Sequence, residues 1–556
     1  MQSAGHLMVQ TLEAHGVERV YTVPGESFLD ILDGLHDSSI STVVCRQEGG
    51  AGFMALAEGR LGNTDGAVLP GVAMVTRGPG AANAMIAVHT AYQDATALVL
   101  FVGLVPIRDR SRESFQEFSI HSWFGSTAKR VLTLEDADQA GSLVAEAMQV
   151  AASGRPGPVV IGVPEDVLRH TTAAEVPEVR PLAAPIPAEA ELDALAERLR
   201  AASKPMLVVG GDAWHGDDGA RVLAFAARAG VPVLADFRSY DAVPHHGEDA
   251  QRAWGGMLGY GRGASMAVAL DEADLLLCVG CTRSDVMSEG YTAAMDAETV
   301  VALPDPSLLQ HAGRLDQFIL ATPHTFAQAL ECLDGVDVRG SRDDTWMLGR
   351  ADAQARFSTA PTEADPEAGL DLDVAFGELE RALPADRAVT YGAGNATIWG
   401  HRYLSHASSA SLVGARNGAM GLAVPAAIAA GFLRPDRPAV AVCGDGDFLM
   451  NGQEVATAVA NHLPVLFLVV DNSRYGTIVQ HQEREYPGRV SGTDLQNPDF
   501  GAWMRAYETD AAPAFGARVT SNEEFSAALG EALAALEHGP ALLHLVIDRN
   551  TMPKNA

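Results

Sequence analysis

The chain has 556 residues, 47% of them hydrophobic, with 39 basic against 71 acidic side chains and a formal charge of -32. That length exceeds a single core and predicts two to four domains. The acidic balance excludes nucleic acid and an anionic membrane surface as partners, while leaving room for one small anion in a locally built site.

The amino terminus "MQSAGHLMVQ" has no basic region followed by an apolar core, so it does not read as a signal peptide. The first predicted unit follows at Gly71–Gly103, "GVAMVTRGPGAANAMIAVHTAYQDATALVLFVG": a strand, a Gly turn, an Ala-rich helix and a second strand. Pro205–Asp236 ("PMLVVGGDAW…VLAFAARAGVPVLAD") repeats that order, and so does Pro438–Asn472 ("PAVAVCGDGDFLMNGQEVATAVANHLPVLFLVVDN"). The spacing suits βαβ crossovers, and runs such as "LVLFVG" and "VLFLVV" suit strands buried on both faces of a parallel sheet. The expected fold is therefore α/β, with three doubly wound parallel-sheet domains over 1–175, 190–340 and 365–556. Polar, Pro-rich connectors are expected near 175–190 and 340–370.

Three smaller features carry no chemistry by themselves. The lysines number only three (Lys129, Lys204, Lys554), and the five cysteines are sparse and scattered, which fits a reducing compartment. Cys278 and Cys281 form a CxxC at the end of an apolar strand, without the second Cys or His pair that zinc wants. His245 and His246 read as surface residues. The longest uncharged stretch, Gly418–Leu433, is broken by Gly and Pro and falls short of a bilayer span, so a cytoplasmic protein without a membrane partner is expected.

The chemistry concentrates at "CGDGD" (443–447). A Gly-rich turn from strand to helix usually receives phosphate, yet this one carries two aspartates and no cation. Asn472 stands 27 positions after Asp445, at the end of the next predicted strand. Adjacent parallel strands bring both side chains to one edge, where a carboxylate and an amide oxygen suit Mg²⁺ or Ca²⁺. The cation then bridges Asp445 to phosphate, with the backbone N–H groups of Gly446 and Asp447 as further anion contacts.

"GDG" followed by "DN" resembles the thiamin-diphosphate fingerprint, with Asp471-Asn472 where Asn-Asn is usual. Long stretches, "VPGESFLDILDGL" (23–35), "RQEGGAGFMALAEGRLG" (46–62), "SFQEF" (114–118), "GRPGPVVIGVPEDV" (154–167), "WGGMLGYGRGASMAVALDEADLLLCVG" (254–280) and "NGAMGLAVPAAIAAG" (417–431), are similar to acetolactate synthases and their relatives among the benzaldehyde lyases and 2-oxo acid decarboxylases. The resemblance implies pyrimidine-binding, central Rossmann-like and diphosphate-binding domains. It implies thiamin diphosphate with a divalent cation held by Asp445, Asn472 and the carbonyl of Arg474. Glu48 is implied to activate the cofactor's aminopyrimidine, and Met420 to wedge its two rings apart. Gly394, Asn395 and Ala396, with Gly418, Gly444, Tyr475, Gly476 and Thr477, are implied around the cofactor, together with Pro24, Gly25 and Asn83 from the N-terminal domain.

Phe115 and Gln116 match residues lining the substrate side, with His121 in the same loop. His481 stands where acetolactate synthases usually have a Trp that selects acceptors, and Thr282 replaces their middle-domain Arg, with Arg283 one position off. The implied reaction is decarboxylation of a 2-oxo acid followed by carbon–carbon bond formation with a carbonyl acceptor. The alternative is a non-ligating decarboxylase or C–C lyase on the same scaffold. A nicotinamide dehydrogenase would want a third Gly that "GDGDFL" lacks, and intact Glu48 argues against an inactive homologue. The resemblance further implies a homodimer or dimer of dimers with the active site between subunits. FAD, which the middle domain of such synthases often holds, is not assigned, because the "VVGGDAW" turn is too generic.

Overall fold

The computed structural model describes residues 1–62, 68–306, 313–365 and 369–553. Lys554 and positions 366–368 of the second expected connector lie outside them. Three six-stranded sheets follow one another along the chain, and every strand pair within them is parallel.

In each sheet the strand order doubles back, which leaves a crevice at the carboxyl edge where ligands bind in this kind of fold. The N-terminal sheet doubles back between strands Arg19–Thr22 and Gly71–Val75. The central sheet does so between Pro205–Val209 and Leu275–Val279, and the C-terminal sheet between Ala388–Tyr391 and Ala439–Gly444. The predicted strands "LVLFVG" and "VLFLVV" lie in Leu98–Leu104 and Val465–Asp471, buried along their whole lengths.

The stretch 173–188 has no regular structure, whereas 340–370 contains the helix Thr345–Ser358. Its few apolar residues hid it among charges. Met347 and Ala351 are buried against the central sheet's helices, and Trp346 Nε1 donates to Pro205 O at 2.9 Å. Cys278 and Cys281 are free and buried at a strand end. His246 is exposed, but His245 is not a surface residue. Its ring stacks on Trp254 at 4.5 Å and 17°, its Nε2–H donates to Tyr240 O, and its Nδ1 accepts from His406 N. Trp254, nine residues on at the start of strand Trp254–Leu258, gives the imidazole a lid that sequence reading did not anticipate.

The three units meet on a buried polar junction. Asp241 accepts from Arg60 Nη2 at 2.7 Å and from Ser411 N and Leu412 N at 2.9 and 3.1 Å, so one carboxylate ties all three. Arg238 reaches Asp212, Thr96 and Asp94 beside it. Among the described residues, no helix is long and apolar enough to cross a membrane.

Candidate functional site

A cavity of about 260 Å³ opens at the doubling-back point of the C-terminal sheet. Four short loops build it, and each begins where a strand or helix ends. The 393–396 loop follows strand Ala388–Tyr391, and the 444–447 turn follows Ala439–Gly444. The 472–477 turn follows Val465–Asp471, and Gly418 and Met420 precede helix Ala423–Leu433. Gly394, Asn395, Ala396, Gly418, Met420, Gly444, Asp445, Gly446, Asp447, Asn472, Arg474, Tyr475, Gly476 and Thr477 all line it.

The parallel register places Gly444 beside Val470, so Asp445 and Asp471 emerge next to each other. Asp445 opens helix Asp445–Asn451 rather than closing the strand. Both carboxylates are buried. Burial and the neighbouring Asp471 charge push the Asp445 carboxyl up to about 7. Burial also pushes Asp471 up, but hydrogen bonds from His544 and Asn497 outweigh it and hold that carboxyl at about 2. Among the described residues no Lys or Arg stands at salt-bridge distance from these two buried carboxylates, and Asn472 lies beside them, a donor set suited to a divalent cation. Among the described residues, no group of three His, Cys, Asp or Glu forms a metal cage. One carboxylate, one amide and one carbonyl is a different donor set, suited to a cation that takes its remaining ligands from phosphate and water.

Asp447 does something that the motif did not reveal. Its Oδ1 accepts from Ala393 N at 3.2 Å and from Gly421 N at 2.9 Å, so the side chain stitches two walls of the cavity together. A Cβ at Gly392 would lie 1.8 Å from Asp447 Oδ2, which is why glycine stands there. Asn395 also works inward: it accepts from Thr477 Oγ1 at 3.1 Å and donates to Gln480 Oε1 at 3.0 Å. Asn395 and Gly394, the latter at φ +101°, both line the cavity. The Arg474 side chain turns to Asn550, and its carbonyl accepts from Gly476 N at 2.9 Å.

The N-terminal residues assemble separately. Glu48 opens helix Glu48–Leu61 and accepts from Asn83 Nδ2 at 2.8 Å. Gly80 packs against the Glu48 carboxylate and Gly25 against Thr76, at the doubling-back point of the N-terminal sheet, with Pro24 exposed beside them. Gln116 adopts φ +64°, and its backbone packs on the Gly78 turn that begins the Asn83 helix. None of these residues lines the 260 Å³ cavity of the same chain. Glu454, which sequence reading missed, fixes the Glu48 loop from behind: its Oε1 accepts from Arg46 N and Gln47 N, both at 2.9 Å. Its signal was only a Glu nine positions after Asp445. Phe115 is 74% exposed, and His121 lies exposed near Thr133. His481 lies exposed on helix Gly476–Glu485, its Nδ1 taking Arg484 Nη2, and does not line the cavity.

The "VVGGDAW" turn borders a cavity of about 280 Å³, which Gly211, Asp212 and Ala213 line together with Gly280. A Cβ on Gly211 would lie 2.2 Å from Gly280 O, and one on Gly280 would lie 2.2 Å from Gly210 O. These glycines serve the close approach of two strand ends and give no assignment of FAD. Arg283 also lines that cavity and bonds Ala294 O.

Residues 2–123, 192–330 and 392–545 match the thiamine pyrophosphate enzyme N-terminal TPP binding domain, central domain and C-terminal TPP binding domain. The chain is 28% identical to the acetolactate synthase isozyme 2 large subunit of Escherichia coli, over 97% of this chain and 95% of that one. It is 30% identical to the acetolactate synthase large subunit of Parasynechococcus marenigrum, over 96% and 85%. Against the probable acetolactate synthase large subunit of Methanocaldococcus jannaschii it is 27% identical, over 97% and 91%.

Proposed function

The chain belongs to the thiamine pyrophosphate enzymes, of the acetolactate synthase-like kind, and from that premise we propose that it transfers the acyl part of a 2-oxo acid to a carbonyl acceptor. The carrying observation is the cavity at the doubling-back point of the C-terminal sheet, lined by Asp445 and Asn472, with Asp471 buried beside Asp445 behind it. Thiamin diphosphate, when bound, supplies the electron sink that lets a 2-oxo acid lose CO₂.

The chain's own groups do the rest. Asp445, Asn472 and the Arg474 carbonyl would hold Mg²⁺, and the cation would carry the diphosphate. Gly394, Asn395 and Ala396 would offer backbone N–H groups to the same anion, and Met420 would support the folded cofactor. Glu48, oriented by Asn83, would hold a proton at the aminopyrimidine nitrogen. Gln116 stands on the Glu48 side and would face the substrate. The proposed division of labour follows 1–175, 190–340 and 365–556.

Because the Glu48 group does not line the chain's own cavity, a second copy would complete the site, in a dimer or a dimer of dimers. Ile86 on helix Pro79–Asp94 and Leu449 and Met450 on helix Asp445–Asn451 are exposed apolar residues beside the two half-sites, which supports a covering partner. The free, sparse cysteines support a cytoplasmic setting.

The test supplies thiamin diphosphate and Mg²⁺ to the enzyme, with a panel of 2-oxo acids, with and without aldehydes, and reads products by mass spectrometry. Coupled 2-hydroxy ketones or 2-hydroxy-3-oxo acids are expected. Free aldehyde alone would move the assignment to the non-ligating decarboxylase.

A further inference from the structure

Resting on that carboligase reading, we propose that Glu117 is a positioning residue: its carboxylate holds the 109–117 loop in a strained shape that fixes Phe115 and Gln116 at the Glu48 half-site. The loop lies between strand Leu98–Leu104 and helix Ile120–Phe124. Within it Ser111, Glu113 and Gln116 take φ of +61°, +55° and +64°. None is glycine, and the left-handed region is unfavourable for each of them. Three such residues within six positions persist only where surrounding contacts hold them there.

Three carboxylates supply that hold, each at a different point. Asp166 accepts from Ile107 N on both oxygens at 3.1 Å and fixes where the loop departs. Glu135 accepts from Arg110 Nη1 at 2.9 Å and tethers the outer limb. Glu117 works from inside. Its Oε1 accepts from Ser111 N at 2.5 Å and its Oε2 from Ser114 N at 3.2 Å, while its own N–H donates to Ser114 O at 2.9 Å. Of the three, Glu117 alone bonds the strained stretch itself. The Ser111 N–H outweighs desolvation and holds the Glu117 carboxyl below its usual range, so the acceptor is charged at neutral pH.

The held shape has a use at the Glu48 end. Gly78 caps the helix whose Asn83 orients Glu48. A Cβ on Gly78 would stand 2.8 Å from Gln116 O, so the loop lies directly against that turn. Phe115, the residue before Gln116, stays exposed. A large apolar ring in water, on a strained and immobilised loop, gains nothing for the fold of its own chain. Beside Glu48 its place is the substrate side of the completed site, where a preformed contact spares the ligand the entropy of ordering it. Without the Glu117 carboxylate, residues 111–116 are free to leave the left-handed region, and that ordering falls on the substrate.

The test reads loop, substrate and cofactor separately. In the cofactor-loaded enzyme, Glu117→Ala should speed tryptic cleavage after Arg110 and Arg112 by about tenfold or more. Calorimetric titration uses methyl acetylphosphonate and methyl benzoylphosphonate, 2-oxo acid analogues whose phosphonate cannot leave as CO₂. Glu117→Ala should weaken whichever analogue wild type binds by about tenfold or more, and thiamin diphosphate by less than about threefold. Glu117→Gln, which keeps one carbonyl acceptor, should lie between. In turnover, KM for the donor acid should rise about tenfold, with kcat within about threefold. Equal cleavage of wild type and Glu117→Ala overturns the proposal, as does faster cleavage with unchanged analogue affinity. Cofactor affinity that falls as far as analogue affinity also overturns it, since Glu117 would then serve the fold at large. If neither analogue binds wild type, no substrate is held there and the proposal falls. If analogue binding depends on Glu117 but no acid pair is coupled, the carboligase reading falls and the positioning role stands.

Discussion

Asp445 Oδ2 and Asp471 Oδ1 accept hydrogen bonds from the same amide, Nδ2 of Asn497, at 2.7 and 2.9 Å. The sharing divides their roles. Asp471 also receives His544 Nε2–H at 2.8 Å, whose Nδ1 accepts from Phe500 N, so its charge is held by neutral donors. Asp445 has the Gly446 backbone N–H beside that amide but no imidazole donor, and is the carboxylate with more capacity left for a cation. Asp471 occupies the first position of the usual Asn-Asn pair and acts behind the site, buried against His544 and Asn497.

Proton and cation therefore compete for Asp445. Below about pH 7 the carboxyl is protonated in the metal-free protein, so Mg²⁺ must displace one proton. Affinity for Mg²⁺ should rise about tenfold per pH unit up to that point and flatten above it. Calorimetric titration at a series of pH values checks this, and a flat profile below pH 7 would remove Asp445 from the metal site. The stability sign is opposite. A carboxyl raised from 3.8 keeps its proton in the folded state while the unfolded chain has lost it, so metal-free stability from this group falls as pH rises from about 4 to 7.

Glu48→Gln keeps size and the contact with Asn83 but leaves the amide unable to exchange a proton. Turnover should fall by about 10² to 10⁴ while cofactor affinity, read by fluorescence quenching, changes little. Mixing inactive Glu48→Gln with inactive Asp445→Ala subunits extends the test. If the two half-sites meet between copies, mixed dimers regain one intact site, and recovered activity reports it. No recovery on proven subunit exchange would place both groups in one chain's site.

The repeating strand–turn–helix order made the three sheets legible, because buried parallel strands are continuous apolar runs. The cleft was legible for the same reason: Asp445 and Asn472 follow consecutive strands, and register brings them together. What escaped were contacts between distant segments. Glu454 behind Glu48, Asp447 between Ala393 and Gly421, and His245 on Trp254 each depend on partners that no local pattern names. Helix Thr345–Ser358 escaped because its buried face is only a few residues wide.

The Asp241 junction predicts cooperative loss. Its carboxylate is fully buried and answers to Arg60 and to the amides of Ser411 and Leu412. Asp241→Asn removes the charge that Arg60 shares between Asp241 and Asp212. Breaking one partner of a buried pair costs about 3 to 5 kcal/mol. Urea unfolding should show that loss, or separation into more than one transition as the three units uncouple. An unchanged single transition would mean that apolar contacts alone hold the units together.

The last prediction concerns acid. His401 and His406 are buried and neutral: burial lowers His401 to about 3 and holds His406 well below its usual value, with the nearby His245 and Arg387 adding to the effect. Ser411 Oγ donates to Ser408 O, so the His406 Nδ1–H donates to that hydroxyl, and Nε2 is left without a hydrogen-bond partner among the described residues. Depressed histidines mean that the unfolded chain binds protons below about 6.5 which the folded chain refuses. Their contribution is whole above that pH and is lost as pH falls toward 3, at about 1.4 kcal/mol per unit for each ring. Asp445 shifts the metal-free protein the other way over part of this window, so the histidine effect is read as a difference between variants. His401→Phe keeps the stack on Tyr391 and removes one titrating group. From pH 6.5 to 5.0, wild type should lose about 2 kcal/mol more than His401→Phe. Parallel pH profiles for the two proteins would mean that His401 takes up its proton without leaving the fold.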